Sequence, residues 1–376
     1  MLQRLEKADC PASYLQRFQP DMPVHFFAPA ALDRRLDDFV NGFAGDVTYA
    51  VKANPSDRVV ARLWGRGLAG FDVASPTEIE SVQRLCGSAV PMHYNNPVRS
   101  SAEIAAARRA GVRSWSVDDA GELRKMAAAG LELYNEVSVR FCLDVEGGHY
   151  NFGDKFGATP DQAVALLRCV SEAGWRPALT FHVGTQCQRP GAYARYIAAA
   201  ADIAQRADVR ISRLNVGGGF PSARQGAAPE YGRFFAAIKE AVDAAFADRP
   251  ALLCEPGRAL VADSYAYAVR IKSLRAGRVY LNDGIYGGLS EFLSMHMPTF
   301  EVISRDGTPR TGESVARVAF GPTCDSIDKL PEALELPSDT REDDWLLFRS
   351  MGAYLTGVTT RFNGYGRCET VTVATL

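Results

Sequence analysis

Lys52 ends the segment Val47-Thr48-Tyr49-Ala50-Val51-Lys52-Ala53-Asn54-Pro55, an apolar strand pattern stopped by Asn-Pro. An amine at a strand end can be partly desolvated, which lowers its pKa and makes it a nucleophile towards an aldehyde. A solvated surface lysine is the commoner occupant of such a position, so the rest of the chain has to decide. Gly217-Gly218-Gly219-Phe220-Pro221 would let the backbone approach an anion closely and aim N–H groups at it. No Lys-Ser or Lys-Thr follows, which separates it from a nucleoside triphosphate loop. Glu255-Pro256-Gly257-Arg258 sets a carboxylate and a guanidinium one turn apart. They read either as a structural ion pair or as a partner for a ring nitrogen beside a partner for an anion. His182, in Phe181-His182-Val183-Gly184-Thr185-Gln186, reads either as a core histidine or as a flat support for a planar ring. Thr185 carries a hydroxyl that can donate to a phosphate.

These residues must be positioned by regular elements, and the periodicity supplies them. Eight short β-type runs occur at 47–53, 69–74, 89–95, 112–117, 136–143, 178–183, 213–216 and 251–255. Helical patterns fill most gaps, with Ser75-Pro76-Thr77-Glu78 and Thr159-Pro160-Asp161 as starts. The alternation predicts an α/β chain folded as a (β/α)8 barrel. In such barrels chemistry sits at the C-terminal strand ends. Those ends carry Lys52, Asp72, Asn95, Asp118, Arg140, His182, Gly217 to Gly219 and Glu255. From about Asp263 the strand-like runs 265–273, 315–319 and 345–348 lack long intervening helices. With the run 23–28 they predict a mainly β second domain built from both chain ends, 1–28 and 263–376, around a barrel of residues 29–262.

At 376 residues, 47% hydrophobic and 23% charged, the composition is that of an ordinary globular chain. A formal net charge of -2 gives no electrostatic case for nucleic acid or an anionic membrane. Met1 to Pro20 is charged and lacks the apolar core of a signal peptide. The eight cysteines form no C-x-x-C pair, so the reading is a reduced, cytoplasmic setting with no metal site.

Lys52 as an imine-forming amine, the glycine turn with Thr185 and Arg258 as phosphate cradle, Glu255 as pyridinium partner and His182 as ring support together describe a pyridoxal 5'-phosphate site. In the motifs Tyr-Ala-Val-Lys-Ala-Asn, Phe-Asp-Val-Ala-Ser, His-Val-Gly-Thr, Gly-Gly-Gly-Phe-Pro and Glu-Pro-Gly-Arg the chain resembles the fold-type III pyridoxal phosphate decarboxylases. That group, which includes ornithine, diaminopimelate and biosynthetic arginine decarboxylases, implies a barrel of the alanine-racemase type. The resemblance runs from about Val47 to Gly364. Gly321-Pro322-Thr323-Cys324-Asp325-Ser326-Ile327-Asp328, Met351-Gly352-Ala353-Tyr354 and Arg361-Phe362-Asn363-Gly364 are similar to the ornithine-specific members.

The resemblance implies a homodimer making putrescine and carbon dioxide from L-ornithine, for polyamine biosynthesis. Cys324, Asp325 and Tyr354 would come from the partner subunit, Cys324 as the acid that reprotonates Cα and Tyr354 at the phosphate. Asp283 and Asp325 would hold the substrate's distal ammonium. Lys155 and Asp328 would pair across the interface, Asp72 and Arg140 would pair beneath the site, and Gly257 would join the cofactor cradle. Ser326 often reads Gly in that family, and Gln186 differs from its eukaryotic members. A broad lysine/ornithine decarboxylase, or an inactive regulator like the antizyme inhibitors, are the alternatives.

Overall fold

The computed structural model describes residues 7–143, 155–224, 226 and 228–376. The chain divides into two compact units, one of residues 36–221 and 229–259, the other of 1–35, 222–228 and 260–376.

The first unit is a closed barrel of parallel strands. In chain order these are Asp46–Ala50, Gly70–Val73, Met92–Tyr94, Ser114–Val117, Glu136–Arg140, Arg176–Thr180, Arg213–Asn215 and Ala251–Cys254. The eighth strand pairs with the first through Cys254 and Val47, which removes every sheet edge. Parallel neighbours need crossovers, and helices such as Pro76–Cys86, Ser101–Arg109 and Pro160–Glu172 supply them. Their starts are chemically marked. Ser100 and Glu103, and Thr159 and Gln162, form reciprocal capping boxes, and Ser75 accepts from the Glu78 N–H at 3.3 Å.

The strands are shorter than their apolar runs. The first stops at Ala50, and Val51–Ala53 closes into a 3-10 turn that holds Lys52 out of the sheet. Asn54 is extended, as a residue before proline must be, and its carbonyl accepts from the Tyr49 hydroxyl at 3.1 Å.

The second unit holds a nine-stranded sheet. Its long strand Tyr265–Arg275 pairs antiparallel with Val24–Phe27 and with Trp345–Phe348. Glu369–Val373 runs parallel to Val24–Phe27, so both chain ends contribute. One core of this unit gathers Tyr267, Val269, Leu281, Leu289, Leu346 and Phe348. Two helices escape the periodicity reading, Pro11–Phe18 and Pro29–Gly42, as do the strands Arg278–Leu281, Phe300–Ile303 and Leu334–Pro337. Among the described residues no helix is long and apolar enough to cross a membrane.

Candidate active site

The C-terminal strand ends converge on Glu255. Asn95, just past the third strand, and Asn215, the last residue of the seventh, both donate from Nδ2 to its Oε1. Asn215 is oriented for this because its Oδ1 accepts from the Gly217 N–H at 2.9 Å. Burial, then the charge of Asp72, pushes the Glu255 carboxyl up to about 8. Asp72 on the second strand is itself raised, chiefly by burial, while Lys52, Asn95 and Arg140 oppose the shift. Arg140, the last residue of the fifth strand, is held below its ordinary value by burial against the charges of Glu255, Asp118 and Asp72. Asp72 and Arg140 therefore feel each other within the same buried group. Lys52, exposed on its 3-10 turn, lies close enough to Asp72 and Glu255 to stabilise both carboxylates.

The glycine turn leaves the seventh strand with φ of 67° at Gly217 and 88° at Gly219. A Cβ at Gly217 would strike the Phe181 carbonyl oxygen, and one at Gly219 the Gly184 carbonyl oxygen. Only glycine fits. All three carbonyls are tied back: Gly217 O accepts from Glu255 N at 2.9 Å, Gly218 O from the Tyr193 hydroxyl at 2.8 Å, and Gly219 O from Cys187 N at 2.8 Å. Behind the turn Tyr193 stacks on Phe220 at 5.1 Å, with Phe234 edge-on at 6.2 Å. With the carbonyls fixed and the Gly217 N–H given to Asn215, the N–H groups of Gly218 and Gly219 are the ones the turn can offer an anion.

His182 follows the sixth strand. Its Nδ1 accepts from the Gly184 N–H at 3.0 Å, and burial holds the ring well below its ordinary pKa, so it is a neutral imidazole. It packs beside the turn: its Nε2 would lie 3.5 Å from a Cβ on Gly218. Thr185 is buried in the next loop, and Arg258, also buried, opens the helix Arg258–Val261. A Cβ at Gly257 would come within 3.0 Å of the Ala53 Cβ, so this glycine allows close packing against the Lys52 turn.

The other expected residues lie in the second unit, except Lys155. Asp325 accepts from the Tyr286 hydroxyl at 2.6 Å and from Ile327 N at 3.1 Å, which lowers its pKa and keeps it ionised. Cys324 is exposed on the same loop, and its N–H donates to Asn363 Oδ1 at 3.0 Å. Tyr354 is partly buried with φ of 54°.

Asp283 departs from expectation. It is 1% exposed, its Oδ2 accepts from the Tyr267 hydroxyl and from Gly288 N, each at 2.6 Å, and burial raises its pKa. It is a structural carboxyl inside its own domain, with no open face for a substrate ammonium. Asp328 is likewise 1% exposed and already serves Ile285 N, Thr323 N and Thr323 Oγ1 at 2.7–3.1 Å. Lys155 stands over the Phe156 ring at 5.0 Å.

The periodicity reading missed Asn215 and Tyr193. Asn215 is a polar residue at a strand end two positions before the glycines, a signal of the kind that singled out the others. Tyr193 carries no such signal, because its contact with Gly218 spans 25 positions.

A closed barrel that gathers an amine, a proton-holding carboxyl, a glycine cradle and a neutral flat imidazole at one end has the donor set of a pyridoxal phosphate enzyme. Residues 30–262 match the family model for the pyridoxal binding domain of pyridoxal-dependent decarboxylases, and the chain belongs to that family. It is 30% identical over 343 residues to ornithine decarboxylase of Mus musculus, covering 85% of this chain and 73% of the relative. It is 29% identical over 339 residues to antizyme inhibitor 2 of Xenopus laevis, covering 84% and 73%. The solved lysine/ornithine decarboxylase of Vibrio vulnificus, complexed with putrescine, superposes with a TM-score of 0.83 at 28% identity, covering 96% of each chain.

Proposed function

We propose that this decarboxylase acts on L-ornithine, releasing carbon dioxide and putrescine for polyamine biosynthesis. The observation that carries the ornithine reading is Asp325, a carboxylate kept ionised by the Tyr286 hydroxyl beside an exposed cysteine. Such a group favours a distal ammonium through a charge-assisted hydrogen bond and repels a distal carboxylate. With Asp283 turned inward, Asp325 takes this role alone.

When bound, pyridoxal phosphate supplies an electron-accepting ring to Cα of the substrate. Lys52 Nζ would be the amine that holds the cofactor at its aldehyde carbon. Glu255, raised in pKa, holds a proton at the ring nitrogen, and Asn95 and Asn215 fix the carboxyl's direction. The neutral His182 ring would support the cofactor's face, while the turn from Gly217 to Gly219, with Thr185 and Arg258, would receive the phosphate. The thiol of Cys324 returns a proton to Cα, with water or Lys52 as competing donors.

The reading includes a homodimer in which Cys324, Asp325 and Tyr354 complete the partner's site. Ile327 and Phe362, exposed at 64% and 44%, support it, because they belong to the segments that carry Cys324 and Asn363. Burying such residues against a second copy is the usual fate of an apolar patch. All eight cysteines are free, in keeping with a cytoplasmic setting.

A broad lysine/ornithine specificity is the second reading, favoured by the Vibrio vulnificus likeness. One methylene in a pocket changes binding by only about 1–3 kcal/mol. An inactive regulator, suggested by the Xenopus laevis relative, is opposed by the presence of Lys52, Glu255, Arg258 and Cys324 together. Carbon dioxide release from ornithine, lysine, arginine and diaminopimelate at equal concentrations tests the proposal. Ornithine should be turned over fastest and diaminopimelate hardly at all; efficient diaminopimelate turnover would overturn it, and no release from any substrate would favour the regulator.

A further inference from the structure

The opposite end of the barrel holds a second cavity, of about 380 Å³, that the decarboxylase chemistry does not use. It lies at the N-terminal strand ends and is lined by Arg113, Arg176, Arg213, Glu136, His93 and Ser114. Glu136 is 5% exposed and sits at the centre of the group. The Ser114 hydroxyl donates to its Oε1 at 2.9 Å, Arg213 Nε lies 3.2 Å from its Oε2, and Arg176 Nη2 lies 3.9 Å away. Asp46, largely exposed at the rim, is 3.9 Å from Arg213.

Arg213 makes the closest ion pair of the three arginines, although its buried Nε forms no aligned hydrogen bond. Arg176 is beyond hydrogen-bond distance of Glu136, and no side chain among the described residues bonds the Arg113 guanidinium. Three guanidinium charges therefore face two carboxylates, leaving one positive charge in excess and two sets of planar donors available. His93, 8% exposed and kept neutral by burial, adds a polar group to the wall, while Val90 and Met92 form an apolar one. A concave site of this size, mixing an apolar wall with a few convergent polar groups, has the composition of a small-ligand pocket.

We propose that this cavity binds a small oxyanion, a phosphate or a carboxylate on a short carbon body, held in a fork between Arg113 and Arg176. The Arg213–Glu136 pair forms its floor and keeps both neighbouring guanidinia from collapsing onto one carboxylate. Planar guanidinium donors match either oxyanion in two-point fashion.

The test uses the enzyme loaded with pyridoxal phosphate, whose own phosphate then covers the cradle at the other barrel end. Inorganic phosphate and succinate are titrated calorimetrically at constant ionic strength set with chloride, on the native protein, on Arg113→Ala and on Arg113→Ala/Arg176→Ala. Arg113→Ala breaks no side-chain bond, so it keeps the test decisive should the double variant fold poorly. Saturable binding of either anion, weakened about tenfold or more by Arg113→Ala with turnover unchanged, is the expected result. Which anion binds tells phosphate from carboxylate. No saturable binding of either would overturn the proposal and leave the arginines as a structural ion-pair ring. Binding that both variants leave undiminished would overturn it equally, by placing the anion elsewhere.

Discussion

Tyr193→Phe removes a single oxygen atom from the wall behind the glycine turn. The ring keeps its stacking on Phe220 at 5.1 Å and its edge contact with Phe234 at 6.2 Å, so packing is nearly conserved. What disappears is the 2.8 Å hydrogen bond to the Gly218 carbonyl, whose donor is secure because burial pushes the phenol well above its ordinary pKa. A buried carbonyl left without its partner costs about 1–3 kcal/mol. That cost can fall in two places. If the bonds from Glu255 and Cys187 hold the turn alone, it lowers the stability of apoprotein and holoenzyme equally. If the Gly218 peptide instead turns to find water in the apoprotein, rebuilding the cradle is charged to cofactor binding, and pyridoxal phosphate affinity falls roughly fivefold to 150-fold. The flanking tethers fix Gly217 and Gly219 but not the Gly218 carbonyl, which the Tyr193 hydroxyl holds, so the second outcome is predicted. Absorbance titration of the apoprotein with pyridoxal phosphate measures it, with thermal unfolding of both forms as control. An unchanged dissociation constant would refute the idea that the hydroxyl shapes the cradle.

Glu255→Gln should flatten the pH dependence of apoprotein stability. With Glu255 raised to about 8, the folded state keeps a proton that the unfolded chain releases, so stability falls as pH rises from about 4.5 to 8. Urea unfolding across that window checks this, and parallel profiles for both proteins would clear Glu255 of the effect. Cys324→Ala should retain cofactor binding yet lose turnover and divert some product to aldehyde and pyridoxamine phosphate; clean diamine at native rate would remove the thiol from the reaction. Mixing Lys52→Ala with Cys324→Ala should restore about one quarter of native activity above the variants' own background, since half the dimers are mixed and each has one intact site. Recovery that stays at background after proven subunit exchange would mean that both residues serve one chain's site.

The polar strand ends were legible because a parallel barrel directs all its C-terminal ends to one face, so alternation alone brings Lys52, Asp72, Glu255 and the glycines together. Strand limits were less so. The apolar run 89–95 folds as a strand only at Met92–Tyr94, since apolar residues beside a strand pack in the core without joining the ladder. The helix Pro11–Phe18 escaped because its N-cap is Cys10, which lacks the side-chain oxygen that marks a helix start. Asp283 illustrates the limit of resemblance for a single residue: its partners, Tyr267 and the Gly288 N–H, close around it only in the folded sheet domain. Asn215 and Tyr193 act through contacts to Glu255 and Gly218 that no local pattern encodes.

The central claim, that this barrel carries pyridoxal phosphate on Lys52, is tested most directly by reducing the yellow holoenzyme with borohydride and mapping the labelled peptide. The reduced cofactor should be found on the peptide containing Val51-Lys52-Ala53, and Lys52→Ala should take up none covalently. A label on any other lysine, or full labelling of Lys52→Ala, would contradict the site described for this barrel.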